Sequence, residues 1–236
     1  MNLVQPAIRK TALLFELIKF SHTIFALPFA FMGAILAARG VPAASILLWI
    51  VLAMVGARSG AMAMNRLADQ EIDARNPRTR ERALPKGLVR RGEVVLLMLG
   101  SFALFLFAAA RLNPLCLKLA PFAMAVLILY SYTKRFTFFS HLILGLALAM
   151  APLGAWIAVT GEVAVAPVVL GLAVLFWVAG FDILYAMADI DFDRASGLYS
   201  IPARFGAASG MAISRTLHVL TLLLLLLLIF LLGLRS

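Results

Sequence analysis

Two runs of acidic residues carry the chemistry this chain is equipped for. The first is Asn65-Arg-Leu-Ala-Asp69-Gln-Glu-Ile-Asp73, the second Asp182-Ile-Leu-Tyr185-Ala-Met-Ala-Asp189-Ile-Asp191-Phe-Asp193. On a helix a step of four residues advances about 40° around the axis, so Asn65, Asp69 and Asp73 share one face. Successive carboxylates there lie roughly 6 Å apart and repel when ionised. A divalent cation removes that repulsion. If one helix continues to Asp193, Asp189 and Asp193 fall within about 20° of Asp182. Asp191 then points the other way, as a solvated or supporting residue. Hard oxygen donors of this kind suit magnesium, which takes one or two carboxylates together with substrate phosphates. His22, His141 and His218 are scattered without zinc spacing and read as packing or interface residues.

Cations flank both acidic faces. Arg78 and Arg82 follow the first, and Lys134 and Arg135 follow Tyr130-Ser-Tyr132-Thr. Arginine offers bidentate contacts to phosphate oxygens and lysine a compact point charge. No glycine-rich phosphate loop of the Walker type is present. A diphosphate would therefore be held by metal and side chains. Magnesium and these cations would stabilise diphosphate as it leaves an allylic carbon. The allylic cation needs walls that exclude water, and an electron-rich aromatic ring would attack it. Asp182 lies within the apolar stretch Val178–Met187. An aspartate at a span centre costs about 2.5–3.5 kcal/mol, and less near the interface. Asp182, with Tyr185, is a candidate to orient the acceptor or take up its proton. The alternative is a partnered acid, paired for example with Arg58, which is also buried by sequence.

The elements that must position these residues are membrane helices. The 236 residues are 64% hydrophobic, with a mean hydropathy of +1.02. Soluble domains average roughly half apolar residues. Apolar runs near 20–38, 43–64, 94–111, 114–132, 138–159, 163–186 and 211–234 are each long enough to cross a bilayer. This predicts an all-α, polytopic transmembrane bundle of about seven spans around a central cavity. The acidic runs close the second and sixth spans, so they meet at one mouth. The first run is too long for a signal-peptide core, and no small-residue cleavage site follows it. Residues 1–236 read as one membrane-embedded domain. Cys116 is the single cysteine, so no intrachain disulfide forms.

The formal charge of +10 is unevenly placed. Arg9, Lys10 and Lys19 precede or open the first span. Arg66, Arg75, Arg78, Arg80, Arg82, Lys86, Arg90 and Arg91 follow the second, Lys134 and Arg135 the fourth, and Arg194, Arg204 and Arg215 the sixth. The alternate connections hold only Arg39, Arg111, Lys118 and Arg235. Basic loops stay in the cytoplasm, so the N-terminus and the mouth are expected there, at a bacterial inner membrane. Division of the basic residues among short loops argues against nucleic acid as a partner.

Four motifs in order resemble the UbiA family of intramembrane prenyltransferases, over nearly the whole chain. They are N-x3-D-x3-D at Asn65, Asp69 and Asp73; R-T-x2-R at Arg78, Thr79 and Arg82; Y-x-Y-T-K-R at Tyr130 to Arg135; and D-x2-Y-A-x2-D-x3-D at Asp182, Tyr185, Asp189 and Asp193. The resemblance implies a helical bundle in which Asn65, Asp69, Asp73, Asp189 and Asp193 hold a magnesium-bound diphosphate. It implies that Arg78, Arg82 and Lys134, with the adjacent Arg135, bind the diphosphate itself. Lys19-Phe-Ser-His-Thr-Ile-Phe-Ala-Leu-Pro28, Asn76-Pro-Arg-Thr and Gly197–Gly206 resemble the 4-hydroxybenzoate polyprenyltransferase branch or its menaquinone-pathway counterpart. Tyr199 departs from it, standing where a basic residue is common. The implied partners are a polyprenyl diphosphate, an aromatic acceptor and the lipid bilayer. The implied reaction is transfer of the polyprenyl group to 4-hydroxybenzoate in ubiquinone biosynthesis, or to a futalosine-type menaquinone precursor. The family usually has about nine helices, so the last two are expected to be missing. The competing class is an inactive truncated membrane protein or a transporter. Transporters commonly carry repeat-related broken helices, whereas these acids match diphosphate chemistry.

Overall fold

The computed structural model describes residues 4–19 and 23–233. His22, part of the Lys19–Pro28 motif and Arg235 lie outside the described residues. The described elements are helical: α1 (Val4–Leu17), α2 (Thr23–Ala38), α3 (Ala44–Arg75), α4 (Arg91–Leu112), α5 (Pro114–Thr133), α6 (Ser140–Thr160), α7 (Val165–Ala186), a 3-10 turn (Met187–Asp189), α8 (Ile190–Ala195) and α9 (Ile201–Leu232). Six helices have the length and apolar character to cross a membrane, and the shorter apolar stretch Ala26–Ala38 sits beside them. These match the seven expected runs. The chain is an integral membrane protein.

Local chemistry sets the boundaries. Pro114 opens α5, and the Asn113 side chain accepts the Cys116 backbone N–H at 2.9 Å, filling one of the orphan donors of a helix start. The same Asn113 amide donates to the Ile157 carbonyl at 2.7 Å, pinning the start of α5 to the end of α6. Gly161, at φ 76°, closes α6 in the left-handed conformation that glycine adopts without steric cost. Glu93 accepts the Arg90 backbone N–H at 2.9 Å at the start of α4.

Helix α3 packs on α4, α6 packs on α7 and α2, and α7 packs on α9. Small residues let these backbones approach, as membrane helices require. A methyl group on Gly33 would strike the Pro152 carbonyl, and one on Gly145 the Leu175 carbonyl.

Two elements run on where the apolar runs stop. The 32 residues of α3 extend about 48 Å, against about 30 Å of hydrocarbon. Its last turns carry the first acidic run out of the apolar region as continuous helix. Helix α9 begins at Ile201 and is interrupted at Gly206 (φ 85°, ψ 165°) before its long apolar stretch.

One expectation is corrected. The helix bearing the second acidic run does not continue evenly to Asp193. It tightens into the 3-10 turn at Met187–Asp189 and resumes as α8. With three residues per turn instead of 3.6 over that turn, Asp189 and Asp193 swing about 60° around the axis relative to Asp182, and each acid meets a different partner.

Candidate active site

At the end of the bundle where α3, α5 and α7 finish, the expected site residues form one connected cluster. Asp69 and Asp73 are buried, at 3% and 5% exposure. Asn65 Nδ2 donates to Asp69 Oδ2 at 3.2 Å, and Lys134 Nζ reaches the same oxygen at 2.5 Å, joining α3 to α5. Arg135 hydrogen-bonds the Ala68 carbonyl and lies 3.9 Å from Asp69 Oδ1. Arg82 Nη1 meets Asp73 Oδ2 at 2.7 Å, with buried Arg66 3.8 Å from the same oxygen. Arg66 also donates to the Leu17 carbonyl at 3.2 Å, fastening the end of α1 to this cluster.

The loop after α3 joins the two acidic runs. Arg78 grips Asp189 with two nitrogens, Nε to Oδ1 at 3.0 Å and Nη2 to Oδ2. Asn76 Nδ2 donates to Asp189 Oδ1 at 3.3 Å, while Asn76 Oδ1 accepts the Arg78 backbone N–H at 2.8 Å. Hydrogen bonding to Asp189, more than any other cause, holds the Arg78 pKa above its ordinary value. This guanidinium therefore stays charged. Asp193 accepts from Ser200 Oγ at 2.9 Å, and Asp191 is exposed.

Two placements differ from expectation. The Tyr185 hydroxyl accepts from Arg78 Nη1 at 2.9 Å, and among the described residues no hydrogen bond joins it to Asp182. Asp182 pairs with His141, whose Nδ1 lies 2.7 Å from Asp182 Oδ2, and not with Arg58. His141, expected to be a packing or interface residue, thus hydrogen-bonds a candidate site residue. It is 41 positions from Asp182, so no local spacing could have announced it.

Arg58 carries the second missed signal. It lines an apolar cavity of about 300 Å³ that runs from Asn65 and Tyr130 past Met54, Ala57 and Ala151 to Leu112 and Ile157. Its Nε is buried without a hydrogen-bond partner. A buried donor left unpaired costs about 1–3 kcal/mol, and more when charged.

Among the described residues, no three His, Cys, Asp or Glu side chains form a ready-made metal cluster. The donor set nevertheless fits magnesium. Asp69 Oδ1 is buried without a hydrogen-bond partner, and the neighbouring donors are hard oxygens. Magnesium needs few protein carboxylates when substrate phosphates complete its shell.

The UbiA prenyltransferase family matches this chain over residues 26–236. The chain belongs to that family. This UbiA member is 34% identical over 172 residues to the 4-hydroxybenzoate octaprenyltransferase of Vibrio atlanticus (strain LGP32), covering 73% of this chain and 61% of that one. It is 33% identical over 192 residues to the enzyme of that name from Vibrio parahaemolyticus serotype O3:K6, covering 80% and 66%. The chain thus spans 61 to 66% of the length of these relatives. The apo structure of a UbiA homolog from Aeropyrum pernix K1 superposes with a TM-score of 0.86 at 37% identity, covering 92% of this chain and 81% of that one. A UbiA homolog from Archaeoglobus fulgidus bound to GPP and Mg2+ shares the fold, with a TM-score of 0.77 at 21% identity over 93% and 78% of the two chains.

Proposed function

We propose that this chain, as a single membrane-embedded domain, transfers a polyprenyl group from a polyprenyl diphosphate to 4-hydroxybenzoate in ubiquinone biosynthesis, with magnesium. The observation that carries the reading is the meeting of both acidic runs with Arg78, Arg82 and Lys134 beside an apolar cavity. Relatives that carry this activity in their names support the acceptor.

Asn65, Asp69, Asp73, Asp189 and Asp193 would hold the metal. Magnesium, when bound, supplies positive charge to the departing diphosphate. Arg78, Arg82 and Lys134, with Arg135 at the rim, bind the diphosphate oxygens. The apolar walls take the first isoprene units and keep water from the allylic carbon. Arg58 takes the acceptor's carboxylate, which supplies the partner its buried Nε lacks. Asp182 accepts the acceptor's hydroxyl proton. A ring carbon then bonds to the allylic carbon while the C–O electron pair leaves with diphosphate. Loss of the ring C–H proton restores aromaticity, and Asp182 returns its proton to the phenol oxygen. Net products are prenylated acceptor, diphosphate and one proton.

The basic loops lie at the site end of the bundle, while Arg111 stacks on Trp49 near the start of α3, away from them. That asymmetry supports a cytoplasmic mouth and N-terminus at a bacterial inner membrane.

The test is turnover in liposomes with geranyl diphosphate and 4-hydroxybenzoate, with and without magnesium, beside a futalosine-type acceptor. Magnesium-dependent prenyl-4-hydroxybenzoate is the expected product. Product from the futalosine-type acceptor alone would reassign the acceptor. Absence of diphosphate release from correctly inserted protein would overturn the activity.

A further inference from the structure

His141 sits among these residues with both ring nitrogens committed. Its Nδ1 is 2.7 Å from Asp182 Oδ2, and its Nε2 lies 3.3 Å from the Ile201 backbone nitrogen. The Ile201 N–H can only donate, so Nε2 accepts and carries no proton. This arrangement places the ring hydrogen on Nδ1, donated to Asp182. The ring is buried, at 3% side-chain exposure, whereas the Asp182 side chain is 27% exposed. Among the described residues, Asp182 Oδ1 has no hydrogen-bond partner. One carboxylate oxygen is thus fixed from behind, and the other is left to act.

The backbone that fixes the imidazole also touches the rest of the site. Ser200, next to Ile201, donates to Asp193 Oδ2 at 2.9 Å and caps the following turn by accepting the Ala203 N–H at 3.3 Å. The Tyr199 N–H donates to the Lys134 carbonyl at 2.7 Å. Residues 199–201 therefore contact the backbone of a diphosphate-binding lysine, an acid on the metal side and, through His141, Asp182.

We propose that His141 is a positioning residue. It sets the orientation of the Asp182 carboxylate toward the acceptor hydroxyl and keys that orientation to the turn that holds Asp193. The proposal rests on the reading of Asp182 as the proton acceptor. His141 itself touches no substrate. A base aimed by a neighbouring imidazole acts on the chemical step and leaves diphosphate binding alone.

Two substitutions separate the bonds. The amide nitrogen of Asn occupies the place of a histidine Nδ1, so His141→Asn keeps the donor to Asp182. His141→Gln places its amide near Nε2, so it can satisfy Ile201 but loses that donor. With geranyl diphosphate, 4-hydroxybenzoate and magnesium, His141→Gln should lower kcat on the order of a hundredfold with an unchanged KM for the diphosphate. His141→Asn should recover most of that loss. Wild-type kcat in His141→Gln, or equal loss in both variants with diphosphate binding intact, would overturn the proposal. Asp182→Asn serves as the reference. If it turns over normally, the reading of Asp182 falls and this proposal with it. If it is inactive while His141→Gln is normal, only this proposal falls. Nitrogen-15 NMR of the histidines in the wild-type protein gives a readout that does not depend on variants folding. An Nδ1–H tautomer for His141 is expected, and an Nε2–H tautomer would sink the idea.

Discussion

Asp69 illustrates how one residue serves two demands. It is buried, and its Oδ2 is neutralised by Lys134 at 2.5 Å while Oδ1 stays without a hydrogen-bond partner. On the proposed function, removing the carboxylate would strip the metal side of a ligand, and it would strand Lys134. We expect Asp69→Ala and Asp189→Ala each to lower turnover more than about a hundredfold while inserting normally in the membrane; ordinary activity in either would refute the metal assignment. Lys134→Ala should raise KM for the prenyl diphosphate more than KM for the acceptor, and steady-state kinetics with each substrate varied will tell. Arg58→Leu should do the reverse. Losing a charge-assisted contact of about 1.5–3 kcal/mol should raise the acceptor KM about tenfold or more. An unchanged acceptor KM would show that Arg58 is paired with something other than the carboxylate.

At the scale of elements, the apolar runs and the acidic spacing on α3 were legible because helix period and bilayer thickness are local rules. The continuity of α3 through Asp73 follows from the same periodicity. The 3-10 turn at Met187–Asp189 was not legible. Nothing in Ala-Met-Ala-Asp signals a tightened turn, and the cost of tightening is offset by partners distant in the chain, Arg78 and Asn76. His141 and the unpaired Nε of Arg58 were hidden for the same reason, since both are properties of packing between helices. Close packing also makes a prediction. Gly145 faces the Leu175 carbonyl with no room for a methyl group. Gly145→Val should push α6 from α7 and destabilise the protein by about 1–3 kcal/mol, seen as a lower Tm in detergent. Gly154, which has open space around it, is the control, and Gly154→Ala should leave Tm unchanged.

For the whole molecule, the test is sidedness. In a Cys116→Ser background, Glu81→Cys places a thiol in the exposed loop after α3, and Val41→Cys places one, at a position 85% exposed, between α2 and α3 at the far end. A membrane-impermeant maleimide should label Val41→Cys in intact cells and Glu81→Cys only after the membrane is opened. The opposite pattern would invert the assigned orientation.

The pairing of each acid with a cation or hydroxyl has a thermodynamic consequence for the order of events at the mouth. Asp69, Asp73 and Asp189 already hold Lys134, Arg82 and Arg78 as counter-ions. A metal arriving alone would displace these cations from their carboxylates and leave them without a counter-ion. A diphosphate arriving alone must draw those cations away from carboxylates left facing one another. When both arrive, acids turn to metal and cations to phosphate, and every charge changes partner with none left over. If the site takes both, the two ligands are coupled, each raising the affinity of the other by the same factor. On the proposed function, the site would read magnesium diphosphate as one object, and free magnesium or stray phosphate would meet it closed by its own salt bridges.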